Sequence, residues 1–353
     1  TDYQRWPYRY KVTLSWLRSS GGRYSHYLRL KVPDISGTGF GLRLDLSAAR
    51  DIRARYYGLG NESERVGAYT DRKSGDLYRD ENYYSYILEE PRLIFSLLRR
   101  IRGPLSMSMG LGLETTDVSP RGKVSFYQEE GRFIEGVPES ADQSHRRVDT
   151  VDGVSGFVSV TVDWDTRDDP TIPRTGTYHE WSYESSRNSL LGLLFEEIDY
   201  RRYTFTDARY RALSDRLGLA TRMIYEILDG EVPLYAYGEI GGSYRVKGAG
   251  GSDTLRGFDR QRFTDNVRLL SNTEVRYRLH AQRAFKQYLE WHGVYFVDTG
   301  QVASSSHHLG LLRTHVSSGV GLRLYWNADF VIRADLGLSV EQAYLGFKYR
   351  NVF

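Results

Sequence analysis

Apolar and polar side chains alternate with a period of two along most of the chain. From Leu105, one parity reads Leu105, Met107, Met109, Leu111 and Leu113, and the other reads Ser106, Ser108, Gly110, Gly112 and Glu114. The same division runs through Phe40, Leu42, Leu44 and Leu46 against Gly41, Arg43 and Asp45, and through Val158, Val160, Val162 and Trp164 against Ser159, Thr161 and Asp163. It returns between Leu217 and Glu226 and again between Phe330 and Ser339. Successive side chains of a strand point to opposite faces, so each segment predicts a strand with one apolar and one polar face. Alternation places about fourteen strands, centred near residues 12, 28, 44, 90, 109, 160, 181, 205, 221, 273, 292, 322, 334 and 348. Many exceed the roughly 5–6 residues typical of soluble strands and match the ~9–11 that a tilted strand needs to cross a bilayer.

The connections divide by length. Ser20-Gly21-Gly22 and Asn327-Ala328-Asp329 are tight, whereas Pro120 to Gly153 and Asp229 to Asp265 are long and polar. Short turns on one rim and long loops on the other are the asymmetry of a transmembrane β-barrel. A soluble sandwich or lipocalin-like barrel alternates as well, with its apolar parity turned inward. The polar parity favours the membrane assignment, because it mixes Gly and Ser with Arg, Asp and Glu, as suits a wet, ion-paired interior. The expected fold is all-β, a transmembrane antiparallel β-barrel forming one domain over residues 1–353, with no repeat or low-complexity stretch to divide it.

Composition bears on this in five ways. The 353 residues include 35 Gly, 9 Pro and no Cys, which excludes a disulfide scaffold and a thiolate zinc site. The longest apolar stretch, around Leu93 to Leu98, is about six residues, far short of the roughly 20 a membrane helix requires. Tyrosine dominates the aromatics at 28, with 14 Phe and 6 Trp, as in proteins that set amphipathic rings at a membrane–water boundary. Of the 48 basic residues 41 are Arg; the planar guanidinium pairs bidentately with carboxylates, so the excess predicts a packed, mutually paired charge system. A genome rich in G and C would produce the same bias. Net charge is only +3, so there is no basic stripe and nucleic acid is not an expected partner.

Catalytic chemistry is not expected. The histidines, at 26, 145, 179, 280, 292, 307, 308 and 315, form no His-Glu-x-x-His pattern, and there is neither a Gly-x-Ser-x-Gly elbow nor a Walker loop. His307-His308 beside Ser304-Ser305-Ser306 reads as solvated loop. His179 and Ser182 have opposite parity, against their acting as a pair. No cofactor or metal is implied.

One long connection, residues 229–265, is rich in glycine: Gly241-Gly242, then Gly248-Ala249-Gly250-Gly251, then Leu255-Arg256-Gly257-Phe258. Such a loop can fold back on itself and present Arg256 at its tip. Downstream, Phe296-Val297-Asp298-Thr299-Gly300 belongs to a strand whose inward parity holds Glu290, His292, Phe296 and Asp298. The two segments together predict a plug loop tucked into the barrel, with Arg256 paired to Asp298.

Here the sequence resembles the outer-membrane assembly-factor superfamily, which includes the insertase of the bacterial barrel-assembly machine, two-partner secretion transporters and the surface-antigen proteins. The family's sixth-loop signature matches Leu255, Arg256, Gly257 and Phe258, and its Phe-x-Asp-x-Gly signature matches Phe296, Asp298 and Gly300. Asn272-x-Glu274-x-Arg276-Tyr277, the stretch from Asp165-Thr166-Arg167-Asp168 through Pro173 to Gly176, and Tyr57-Gly58-Leu59-Gly60-Asn61 are further matches, in the family's order. By itself the Asp165 stretch reads as a rim charge cluster, and Tyr57 to Asn61 as a turn. The resemblance implies sixteen strands, with room for two more near residues 52–80 or 121–150. It implies a last strand carrying Tyr349 and ending in a targeting phenylalanine, Phe353, beside the first strand near Tyr8 to Trp16. Nothing before Tyr8 encodes the family's polypeptide-transport-associated domains, so a barrel-only branch or a trimmed chain is expected. The function implied is insertion or translocation of a polypeptide at the bacterial outer membrane through a lateral seam. The partners implied are outer-membrane lipid, unfolded polypeptide and separate periplasmic or lipoprotein subunits. A plugged pore or lipid conduit, and a membrane anchor for a separate soluble partner, are the alternatives.

Overall fold

The computed structural model describes residues 9–133, 153–186, 199–243, 245–327 and 330–353. Strands dominate: β1 (Lys11–Arg18), β2 (Tyr24–Val32), β3 (Phe40–Arg55), β4 (Ser85–Arg102), β5 (Leu105–Pro120), β6 (Gly153–Asp165), β7 (Gly176–Ser185), β8 (Tyr200–Ala212) and β9 (Leu217–Gly230) lead to a long central segment, residues 231–266. After it come β12 (Val267–Ala284), β13 (Gln287–Ala303), β14 (His315–Trp326), β15 (Phe330–Leu338) and β16 (Ala343–Lys348). Within the central segment lie a short helix, α2 (Leu234–Tyr237), and a separate hairpin of two-residue strands, β10 (Glu239–Ile240) and β11 (Val246–Lys247). Each of the fourteen long strands pairs antiparallel with its neighbour in sequence, β9 passing directly to β12. All fourteen centres read from alternation fall within them.

The sheet is curled, as the central segment proves. Ser339, the residue after β15, donates through Oγ to the Gly257 carbonyl at 2.9 Å, and the Arg55 N–H of β3 donates to the Gln261 side chain at 2.9 Å. Four residues of chain reach at most about 14 Å, and the two side-chain links add little more than as much again. β3 and β15 stand ten places apart in strand order, which in a flat sheet at ~4.8 Å per strand would separate them by roughly 48 Å. Only a sheet wrapped around the segment brings both within reach. Its inner face is the polar parity. Ser108, Glu114 and Thr116 of β5 are buried, while Met109 and Leu111 are 56% and 45% exposed on the outer face. The connections sort by rim as expected: on one side none exceeds residues 166–175, and on the other lie 56–84, 121–152 and the central segment. The turn at Ser20-Gly21-Gly22 belongs to the long-loop rim and that at Asn327 to the short-turn rim.

Three expectations meet a different outcome. Among the described residues the sheet has fourteen strands, where the resemblance implied sixteen. Residues 52–80 hold the end of β3 and two 3-10 turns, Gly67–Tyr69 and Arg72–Leu77, because clustered charges and glycines there offer no alternating face to bury. Residues 121–150 begin with a helix, α1 (Phe126–Phe133), and then pass outside the described residues, as do Tyr8 and His145. Second, the last strand stops at Lys348 and does not reach Phe353. Among the described residues no ladder joins β1 to β16, and β1 is exposed along its whole length. Third, much of the tyrosine excess is not at a membrane boundary. Tyr56, Tyr57, Tyr83, Tyr84 and Tyr86 are buried with Phe126 in a cap on the long-loop rim, with Tyr83 and Tyr84 centroids 5.1 Å apart and Tyr84 and Phe126 5.5 Å apart. Trp164, Trp181, Tyr277, Trp326 and Phe330 do project from the outer face.

Candidate functional site

The innermost turn of the central segment carries Arg256, which is fully buried. Its Nε and Nη2 donate to the two carboxylate oxygens of Asp298 on β13, each at 2.8 Å, and its backbone N–H donates to Oδ2 at 3.1 Å. Its Nη1 donates to Glu274 Oε1 on β12 at 2.7 Å. The guanidinium lies 3.5 Å from the centroid of Phe296, two residues before Asp298 on the same inner parity. One arginine therefore has a bidentate acid, a second acid and an aromatic face, an arrangement that lysine could not fill. Burial alone would lower the Arg256 pKa; the bond to Asp298, with the charges of Asp298 and Glu274, reverses that and raises it.

Gly257 follows at φ +103°, and a Cβ there would stand 3.0 Å from the Leu338 carbonyl carbon, so both conformation and close approach require glycine. Leu255 and Phe258 are buried in one apolar cluster with Phe263, Ile224, Leu270 and Val302. A Cβ on Gly300 would meet Leu270 at 2.6 Å and Leu255 at 3.0 Å. The structure thus brings together Leu255, Arg256, Gly257 and Phe258 with Glu274, Phe296, Asp298 and Gly300.

Charges that sequence reasoning did not assign extend the site. Arg323 of β14 donates to Glu274 at 3.1 Å and to Asp335 of β15 at 2.6 Å, and Arg333 of β15 bonds Asp253. Asn272 Nδ2 donates to Asp298 Oδ1 at 2.8 Å and to the Thr254 carbonyl at 2.5 Å. The signal was present as opposite charges on the polar parity of adjacent strands, but parity does not say which residue across the interior answers which. A second network binds the β10–β11 hairpin to the other wall. Glu239 accepts from Lys247 at 2.8 Å and from Arg92 of β4 at 3.2 Å, and buried Arg268 pairs with Glu226 at 3.1 Å. Part of the arginine excess thus serves as paired interior charge.

The remaining motifs have clear places. Asp165 and Arg167 form a bidentate pair at the short-turn rim, where Asp168 accepts backbone N–H bonds from Arg174 and Thr175. Tyr57 to Asn61 does more than turn: Tyr57 donates to Asp259 at 2.8 Å, Gly60 bridges to Thr264, and Asn61 accepts from the Val302 N–H at 2.9 Å. Tyr349 and Phe353 do not share a strand. The Tyr349 ring is exposed, 6.0 Å from that of Phe330, whereas Phe353 turns inward against Tyr210 with Arg222 and Arg276 over its ring at 5.0 and 5.4 Å. A polar cavity of about 550 Å³ remains between the central segment and β2 to β7, lined by Arg43, Asp45, Glu90, Arg92, Ser108 and Arg245 among others. His308 bonds Ser304 in an exposed loop, and the described residues hold no cluster suited to a metal ion.

A curled antiparallel sheet, apolar outside and ion-paired inside, with a long segment bonded to its inner face, is a barrel-like fold of the kind that outer-membrane β-barrels have. A domain model of the Omp85 superfamily matches residues 33–344, and the chain belongs to that superfamily. Its fold resembles that of BamA from Haemophilus ducreyi lacking POTRA domains 1–3, with a TM-score of 0.60 at 13% identity, over 96% of this chain and 63% of that one. CdiB from Acinetobacter baumannii gives a TM-score of 0.50 at 11% identity, over 96% and 52%. The likeness at these identities is one of fold, and this chain spans less than two thirds of either protein. No curated protein sequence matches it.

Proposed function

We propose that the chain is a single barrel domain of the bacterial outer membrane that takes part in inserting or translocating polypeptides through the seam between β1 and β16. The observation that carries this reading is the pair of unanswered sheet edges: among the described residues β1 pairs only with β2, and β16 only with β15. An unpaired edge offers a row of N–H and C=O groups that can template an incoming strand. In this reading the central segment is the plug, Arg256 fastens it to the wall through Asp298 and Glu274, and unfolded polypeptide is the substrate. Separate periplasmic or lipoprotein subunits would deliver that substrate, lipid surrounds the outer face, and no cofactor or catalytic group is needed. Cysteines placed across the seam, in β1 and in β16, test the reading. Disulfide formation requires Cα atoms within about 7 Å, so it also reports that the edges meet, and the native chain has no cysteine to interfere. Oxidation should abolish assembly activity and reduction should restore it. Full activity in the cross-linked protein would remove the lateral seam from the mechanism.

A second reading, a plugged pore or lipid conduit, is favoured by the polar cavity beside the central segment. A conduit, or a plain anchor for a soluble partner, would tolerate the seam disulfide.

A further inference from the structure

The residues after β16 leave the sheet although the sheet has room for them. In the β15–β16 ladder Arg333 faces Lys348. Three rungs further in the same register, Tyr349, Arg350 and Asn351 would face Ile332, Val331 and Phe330, which pair with β14 and, among the described residues, with no strand on their other edge. Continued in this way, Phe353 would fall on the outer parity with Leu345 and Phe347. Instead the chain turns inward and is held there by side chains. Arg350 Nη2 donates to Asp253 at 3.0 Å, Asn351 Nδ2 donates to the Thr171 carbonyl at 2.8 Å in the β6–β7 connection, and Arg222 of β9 donates to the Val352 carbonyl at 3.0 Å.

Two of these holds pass through the tip of the central segment. Asp253, three residues before Arg256, also takes the bond from Arg333 and has Lys348 at 3.6 Å. Arg222 donates to the Asp253 carbonyl at 2.6 Å with the same guanidinium that grips Val352. The tail and the tip of the segment are therefore fastened to each other and to the wall at one place.

We propose that Asp253 is a latch: while it binds Arg350 and Arg333, residues 349–353 stay inside the barrel and β16 ends at Lys348, and when it lets go they extend β16 along β15 toward the seam. Displacement of the central segment and completion of the last strand are then one event. The consequence for function rests on the seam reading above, but the test does not.

Cysteines at Phe330 and Asn351 would be directly opposed in the extended strand, where Cα atoms lie about 4.5–5.5 Å apart, whereas Asn351 now reaches across the interior to Thr171. Cross-linking is measured on the isolated full chain, without substrate, with Asp253 intact and with Asp253→Asn, an isosteric change that removes the charge. The variant should cross-link roughly tenfold faster or more, since a buried carboxylate shared by three cations loses its hold. Arg350→Gln, made on a half-exposed residue, should accelerate it in the same direction and serves if Asp253→Asn fails to fold. Equal rates in the parent and in whichever variants fold would overturn the latch. Loss of the seam-disulfide effect on activity, with the rate difference intact, would count only against the lateral seam.

Discussion

Arg256 is bound so completely that its removal is felt chiefly by the groups left behind. Arg256→Ala strands Asp298, Glu274 and, at 3.8 Å, Asp335; Asp298→Ala strands the guanidinium. Breaking a buried pair from one side costs about 3–5 kcal/mol. Each variant should loosen the central segment, raising ion conductance or antibiotic entry and lowering any assembly activity. Because both act on one contact, the double variant should be little worse than either single one in a double-mutant cycle; additive effects would mean that they are not partners. Asp253 has a pH signature. Burial alone would raise its pKa, but Arg350, Lys348 and Arg333 outweigh that and hold it well below the usual carboxylate range. A carboxyl depressed in the folded state contributes stability above its unfolded pKa of about 3.9 and loses it as pH falls through the folded value. The difference in guanidinium unfolding midpoint between the native chain and Asp253→Asn should therefore be steady from pH 8 to about pH 5 and close only below about pH 4. A gap that closes near neutrality would contradict the assignment.

Strands were legible because one face of each meets a different solvent from the other. Met109 and Ser108 are adjacent in β5, yet one projects outward and the other lines the 550 Å³ polar cavity. A charge at Met109 should cost about 2–4 kcal/mol and impair membrane assembly, while one at Ser108 should be mild. Refolding yield into lipid vesicles measures the difference, and equal damage at both would refute the membrane orientation. The same alternation gave all fourteen strand centres, and Arg256 with Asp298 could be paired from their motifs. What alternation could not give was the path of anything outside the sheet. The central segment, the tyrosine cap and the tail after Lys348 have no period, since their partners come from many strands at once. Phe353 shows the limit most clearly: its parity assigns it to the outer face, and the guanidinium groups of Arg222 and Arg276 over its ring, with the Arg222 bond to the Val352 carbonyl, place it inside. Arg323, Arg333 and Asp335 were visible as inner-face charges, but their shared partners Glu274 and Asp253 follow only from curvature.

At the scale of the whole molecule, the seam and the central segment answer different questions. A seam disulfide fixes the edges without touching the cavity, so a conduit should keep its conductance in the oxidised state while an insertase loses activity. Loosening Arg256 does the reverse, opening the interior while leaving the edges as they were. Measuring both quantities in both proteins separates the readings without reference to any substrate.

A closed barrel owes its girth to its strand count, as a hoop owes its diameter to its circumference. This sheet, with β1 and β16 unjoined among the described residues, behaves as a hoop with a cut. Its radius is set by spokes running from the rim to a hub: Asp298 and Glu274 to Arg256, Arg333 to Asp253, Asp51 to Arg260 and Arg92 to Glu239. Such a wheel can take an extra stave at the cut by lengthening its circumference, without breaking a single existing rung.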